Sequence, residues 1–265
     1  MALLGLPTDV NSSHQRGAAL GPGAIRKALW SGASNLTSES GVDLGAAGAL
    51  VDEGDLALRE TAADRARIER GVRAILDRGL KPLLLGGDHS VTYPVMRAIA
   101  STHGPVNILH FDAHPDLYDE YDGNRFSHAC PFARIMEEGL SKRLVQVGIR
   151  TLNAHQAAQA RRFDVEMVTM ADFAAAAVPI PKGPLYITID IDALDPAFAP
   201  GVAHREPGGL SVRDLICVLQ RVRGPVVGGD IVELRPASDL DGVTAVVGAK
   251  LVKELGGLMS LPPLR

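Results

Sequence analysis

The sequence predicts an α/β protein in which a central parallel β-sheet lies between two layers of helices, as a three-layer α/β/α domain over residues 1–265. Short, continuously apolar runs alternate along the chain with longer amphipathic patterns. No linker rich in Gly, Ser or Pro and no internal repeat divides the chain. A length of 265 residues suits one large α/β domain.

The apolar runs predict strands that are buried on both faces, because helices cover both sides of a parallel sheet. An N-terminal strand is followed by five such runs: residues 82–85, 106–111, 144–147, 185–189 and 226–232.

Amphipathic patterns predict helices between these strands. Residues 62–78 carry one apolar stripe with charged residues elsewhere. Ser211 and Asp214 are spaced as a capping box that opens a further helix, and residues 244–258 form the last one. Two stretches lack periodicity and are predicted to be loops: residues 31–55 and 198–210.

Composition excludes several classes of protein. A net charge of −4 and 4% aromatic residues argue against nucleic-acid and membrane partners. Two cysteines, Cys130 and Cys217, exclude a disulfide scaffold and a cysteine-based zinc module. No apolar run approaches the ~20 residues of a membrane span, and no basic start of a signal peptide is found. We therefore expect a cytoplasmic enzyme.

Acidic and histidine side chains follow four of the predicted strands, where ligands bind in open parallel sheets. These candidates are His89, Asp112, His114, Asp116, Asp190, Asp192 and Glu233. Residues two apart in an extended segment point the same way. Asp112, His114 and Asp116 can therefore face one centre, and so can Asp190 and Asp192.

A single aspartate at a strand end is more often a helix cap than a metal ligand. The combination of Asp-x-His-x-Asp at 112–116 with Asp-x-Asp at 190–192 is different, because four crowded carboxylates would repel one another. Two divalent cations would offset their four negative charges. The sequence therefore predicts a site for two metal ions.

The types of ligand indicate which metal binds. Carboxylates with a minority of imidazoles favour Mn²⁺, with Co, Fe or Ni as alternatives, whereas zinc would need more nitrogen or sulfur ligands. Two such ions can bridge one water molecule and lower its pKa, which produces hydroxide near neutral pH.

Several motifs together resemble the ureohydrolase family of arginases and agmatinases. They are Gly-Gly-Asp-His-Ser at 86–90, Phe-Asp-Ala-His-Pro-Asp at 111–116, Ser-His at 127–128, Asp-Ile-Asp-Ala-Leu-Asp-Pro at 190–196 and Val-Glu-Leu-Arg-Pro at 232–236. The runs 112–119, 123–128, 132–139, 144–150 and 199–209 look most similar to the plant-type arginase branch.

The resemblance implies a manganese enzyme that cleaves L-arginine to L-ornithine and urea, with two Mn²⁺ per subunit and attack by a metal-bridging hydroxide. By similarity, one ion is held by His89, Asp112, Asp116 and Asp190, and the other by Asp112, His114, Asp190 and Asp192.

The resemblance also implies the catalytic roles. Glu233 would receive the guanidinium group, and His128 would move protons at the mouth of the site. Asp116 would pass a proton to the leaving amine.

The tail of the substrate distinguishes members of the family, because an α-carboxylate needs hydrogen-bond donors. Asn124, Ser127 and His204 are candidate substrate-binding residues, together with Glu233. Further donors are offered by Arg125 and by the run Asn-Ser-Ser at 11–13. L-arginine is the favoured substrate, and agmatine or another guanidino acid remains open. Arg235 has no evident partner.

Two other functions are less consistent with the residues. A non-catalytic metal-binding homologue would have lost a ligand or Glu233, and neither is lost. A hydrolase of the histone-deacetylase type works with one zinc ion, which the complete second set of ligands argues against. The resemblance further implies a homotrimer or homohexamer. His14, His103, His110 and His155 are assigned no role.

Overall fold

A computed structural model describes residues 1–261, and over these residues eight strands form one fully parallel sheet. Residues 262–265, the end of the expected domain, lie outside this description. The strands are β1 (Ala2–Leu6), β2 (Val51–Asp55), β3 (Pro82–Gly86), β4 (Val106–Phe111), β5 (Ser141–Ile149), β6 (Glu166–Thr169), β7 (Leu185–Asp190) and β8 (Val226–Val232). Their order across the sheet is β2-β1-β3-β8-β7-β4-β5-β6.

Helices cover both faces of the sheet, which confirms the predicted fold class. They are α1 (Gly21–Leu29), α2 (Asp64–Leu76), α3 (Thr92–His103), α4 (Pro131–Glu137), α5 (Ala154–Arg162), α6 (Val212–Leu219) and α7 (Val243–Ser260). Over the described part of the chain, none of the helices has the length and apolar character needed to cross a membrane.

Alternating side chains of each strand feed two hydrophobic cores. In β3, Leu83 and Leu85 pack into the core that α1, α6 and α7 cover, whereas Leu84 packs into the core under α2 to α5. This alternation follows from the two-residue repeat of a strand, and it explains why β3 is apolar at every position.

The predicted interior strands are all present, and the capping box is confirmed: Ser211 caps α6 and pairs reciprocally with Asp214. The prediction of a loop over residues 31–55 is wrong at its end, because residues 51–55 form β2. This strand lies at an edge of the sheet and is mostly exposed, so its polar sequence carries no apolar signal. The other edge strand, β6, was not predicted.

The four strands that carry the candidate residues are neighbours in the sheet, in the order β3-β8-β7-β4. His89, Asp112, Asp190 and Glu233 therefore emerge side by side at one edge. Asp116 and Glu233 adopt left-handed backbone angles, with φ of 49° and 67°. Such angles are uncommon for residues other than glycine and often mark functional sites.

Gly87, between β3 and the candidate ligand His89, is a position where a side chain cannot fit. A Cβ atom there would lie 1.8 Å from the backbone oxygen of Thr8, which accepts a hydrogen bond from the amide of Asp88. We expect Gly87→Ala to lower the free energy of unfolding by about 1–3 kcal/mol, the usual cost of overpacking. The control is Gly23→Ala in α1, where a Cβ atom meets nothing within 4 Å. Equilibrium urea unfolding compares the two variants, and a Gly87→Ala protein as stable as the control would contradict the expected clash.

Candidate active site

The imidazole of His89 lies at the centre of three carboxylates. Its Nδ1 atom is 3.1 Å from an oxygen of Asp112 and 3.1 Å from an oxygen of Asp116. The nearest oxygen of Asp190 is 3.3 Å away. All four residues are buried, yet His89 Nδ1 has no hydrogen-bond partner among the described residues. An imidazole nitrogen that is buried among carboxylate oxygens without a hydrogen-bond partner fits a metal ligand.

A second group surrounds His114. Its Nδ1 atom is 3.0 Å from Asp192 Oδ2 and 3.4 Å from Asp112 Oδ1. Asp112 therefore belongs to both groups, with one oxygen facing each imidazole. The structure thus brings together all six residues that were predicted from the sequence as metal ligands.

The spacing of these atoms suits octahedral metal ions. Ligand atoms about 2.1 Å from such an ion lie about 3 Å from one another.

The charge of the buried carboxylates also supports a metal site. Burial and the neighbouring carboxylates Asp192 and Asp112 raise the pKa of Asp190 well above its ordinary value. Burial and Asp112 likewise raise the pKa of Asp116 to about 7. These acids cannot all ionise at low cost without nearby positive charge.

His110 is a site residue that the sequence reasoning missed. It is fully buried, and its Nε2 atom lies 2.7 Å from Asp112 Oδ2. This is a hydrogen-bond distance, so His110 contacts the shared carboxylate of Asp112 directly. Burial lowers the pKa of His110 to about 4, so the ring is neutral. The signal was present, because His110 lies two residues before Asp112 in a strand and points the same way.

His128 and Glu233 form a buried pair. His128 Nδ1 donates to Glu233 Oε1 at 2.8 Å, and the amide of His89 donates to the same oxygen at 2.8 Å. Burial would lower the pKa of His128, but Glu233 raises it to about 9. On its other side, His128 Nε2 is 2.8 Å from the hydroxyl of Ser13. His128 therefore connects Glu233 to the N-terminal segment of the chain.

A cavity of about 210 Å³ opens onto these groups. Its wall includes the candidate ligands His114, Asp116, Asp190 and Asp192, and also His128, His204 and Glu233. Hydroxyl groups, one amide and a further carboxylate complete the polar part of the wall: Ser13, Tyr118, Tyr121, Thr151, Gln156 and Glu206.

Two of the predicted substrate-binding residues lie outside the wall of this cavity. Asn124 Nδ2 donates to Asn11 Oδ1 at 3.1 Å, and Ser127 is buried. The backbone oxygen of Asn11 in turn accepts from the amide of His128 at 3.1 Å. Asn124 therefore braces the loop that holds His128. His204 does lie in the cavity, with its ring 5.4 Å from that of His128.

Arg235, for which the sequence offered no partner, points away from the cavity. Its Nε atom donates to the backbone oxygen of Arg16 at 2.9 Å, and its Nη1 atom donates to the hydroxyl of Ser238. The guanidinium group thus joins the loop after β8 to the N-terminal segment.

Known proteins resemble this chain over almost its full length. A model of the arginase family matches residues 1–257. "Arginase 1, mitochondrial" of Arabidopsis thaliana is 46% identical, over 98% of this chain and 81% of the relative. "Agmatinase, mitochondrial" of Gallus gallus is 35% identical, over 96% of this chain and 79% of the relative. The solved structure of an arginase from Medicago truncatula superposes with a TM-score of 0.93 at 42% identity, covering 97% of this chain and 86% of that one.

These names correct one expectation. The sequence led to a cytoplasmic location, but the relatives from Arabidopsis thaliana and Gallus gallus are both named mitochondrial. The cytoplasmic assignment is therefore wrong. It rested on general features of the composition and the N-terminus, which carry no family information.

Proposed function

The chain belongs to the arginase family, and on that premise we propose that it hydrolyses L-arginine to L-ornithine and urea with two Mn²⁺ per subunit. One observation carries the proposal: the two groups of candidate ligands, joined by Asp112, share a cavity wall with the buried carboxylate of Glu233. The cavity thus combines a place for two cations with an anion for the guanidinium group of the substrate.

We assign one Mn²⁺ to His89, Asp112, Asp116 and Asp190, which lie around one imidazole. We assign the other to Asp112, His114 and Asp192, which lie together, and to Asp190, which the resemblance adds to this set. The oxygen-rich donor set favours manganese over zinc. When bound, the two ions would activate a water molecule for attack on the guanidinium carbon.

Glu233 binds the guanidinium group. The amide of His89 and the ring of His128 both hold its Oε1 atom, so the carboxylate is oriented before the substrate arrives. A guanidinium group presents planar N–H donors, and a fixed carboxylate receives them by charge-assisted hydrogen bonds. Because Glu233 is buried, water competes weakly for these bonds.

Asp116 and His128 move the protons. Asp116 lies in the cavity wall and carries a proton to the leaving amine, as a general acid. His128 then exchanges protons with the outer part of the site through the hydroxyl of Ser13. Its contact with Glu233 supports an exchange beside the substrate that Glu233 would bind.

A second candidate substrate is agmatine, and one observation favours it. Glu206 in the cavity wall suits an ammonium group, but no lysine or arginine lies in the wall over the described residues. The α-carboxylate of arginine would therefore depend on neutral donors such as the hydroxyls of Ser13, Tyr118 and Thr151. Agmatine lacks that carboxylate. The homotrimer or homohexamer expected from the resemblance stays a prediction.

The direct test measures urea release from L-arginine, agmatine, guanidinobutyrate and guanidine, side by side with Mn²⁺ present. We expect the highest kcat/KM for L-arginine. A higher value for agmatine would replace arginine as the substrate, and no urea from any of the four would overturn the proposal. Glu233→Gln keeps the shape of the side chain without its charge, and we expect it to lose activity on every substrate.

Variants of a ligand shared by both ions should lose more metal than a variant of a ligand that holds one ion. We expect Asp112→Ala and Asp190→Ala to abolish activity and to lose both ions, because each removes a ligand of both sites. Asp192→Ala, the matched control, should lose one ion, since it removes a ligand of the His114 site alone. Manganese content per chain after dialysis decides between them. Retention of two ions by Asp112→Ala would show that this residue is not a shared ligand.

His128→Asn should slow turnover without removing metal. Asparagine is polar but cannot exchange a proton, and loss of a general acid–base group typically costs about 100-fold or more in kcat. The control is His103→Asn at the end of α3, far from the candidate ligands in the sheet, which we expect to turn over normally. Normal turnover of His128→Asn would exclude the residue from the reaction, and loss of manganese would make it a ligand instead.

A further inference from the structure

Gln146 and His110 lie directly opposite each other in the paired strands β5 and β4, and both are fully buried. The Nε2 atom of Gln146 is 2.7 Å from the backbone oxygen of Pro115 and 3.0 Å from His110 Nδ1. A carbonyl oxygen can only accept a hydrogen bond, so the amide atom next to Pro115 must be the nitrogen. This contact fixes the orientation of the Gln146 amide.

The amide orientation decides which nitrogen of His110 carries the proton. The second N–H of Gln146 points to His110 Nδ1, which must accept it. In a neutral ring the proton then lies on Nε2, which donates to Asp112 Oδ2 at 2.7 Å. The ring of Phe132 stacks on His110 at 4.0 Å and restrains its rotation. A chain of hydrogen bonds therefore runs from the Pro115 carbonyl to Asp112.

We propose that Gln146 and His110 are positioning residues that orient Asp112 for both metal ions. The proposal rests on the proposed function, in which Asp112 is the shared ligand. The N–H of His110 Nε2 holds one oxygen of the Asp112 carboxylate, and Gln146 holds the His110 ring in the orientation that makes this contact. Hydrogen-bond partners of this kind, which hold a metal ligand in place, typically contribute about 10- to 100-fold to metal affinity.

The test is a double-mutant cycle on Mn²⁺ affinity, measured by isothermal titration of the metal alone into the full chain. His110→Phe removes the donor to Asp112 and keeps an aromatic ring against Phe132. Gln146→Leu removes the amide that fixes the tautomer. We expect each variant to weaken Mn²⁺ binding about 10-fold or more. Because Gln146 acts through His110, Gln146→Leu should add little in the His110→Phe background.

The matched control is Gln159→Leu in α5. Gln159 is also buried, and its Nε2 atom donates to the backbone oxygen of Leu117 at 3.3 Å, while its Oε1 atom accepts from Arg162, so its described hydrogen bonds reach none of the assigned ligands. We expect Gln159→Leu to bind Mn²⁺ as the unmodified chain does. Melting temperatures with chelator present identify any variant that fails to fold.

Three outcomes would overturn the proposal: unchanged Mn²⁺ affinity in His110→Phe, unchanged affinity in Gln146→Leu, or additive losses in the double variant. If Gln146→Leu does not fold, Gln146→Met replaces it in the cycle, and His110→Phe alone remains decisive if both fail. An unmodified chain that binds no Mn²⁺ would refute the proposed function itself. That result is distinct from tight Mn²⁺ binding that the variants leave intact, which refutes only the positioning roles.

Discussion

The arrangement of the site depends on the repulsion between four carboxylates buried at one edge of the sheet. The chain holds three of them with its own backbone. Asp112 Oδ1 accepts from the amide of His114, and Asp190 Oδ1 accepts from the amide of Asp192. Asp192 Oδ1 accepts from the amide of Ala113. In Asp190 and Asp192, one oxygen is thus tied to a backbone amide while the other faces an imidazole. In Asp112, the oxygen that accepts from the amide also faces His114, and the second oxygen faces His89.

The parallel sheet supplies these amides without losing other backbone hydrogen bonds, because the amides lie beyond the ends of the strands. Where a strand of such a sheet ends, its following residues leave the ladder and their amides need new partners. The amides of Ala113, His114 and Asp192 find them in the carboxylates of the same or the neighbouring strand end. The need to pair backbone groups and the need to hold the acids are therefore met by the same hydrogen bonds. Left-handed backbone at Asp116 and Glu233 adds strain that this network has to support.

The sequence predicted the features that short local patterns encode, namely the buried strands and the residues at their ends. Buried strands are continuously apolar, and i, i+2 spacing at their ends identified five of the six candidate ligands; the sixth, His89, was identified by its place after a strand. It did not predict β2, because an exposed edge strand has no apolar signal. Nor did it reveal that Asn124 and Ser127 lie outside the cavity, or that Ser13 contacts His128. Those arrangements depend on the N-terminal segment packing against residues more than a hundred positions away, which no local spacing records.

The two ends of the cavity are built from different kinds of interaction, and this explains why the family is easier to assign than the substrate. The inner end, with the candidate ligands and Glu233, relies on full charges that are buried and mutually dependent, so changing one residue leaves others unpaired at a large cost in stability. The outer wall has the hydroxyls of Ser13, Tyr118 and Thr151 and the carboxylate of Glu206. Single neutral hydrogen bonds there contribute about 0.5–1.5 kcal/mol each. Choosing between arginine and agmatine takes only a few such bonds, so it can change while the charged end stays the same.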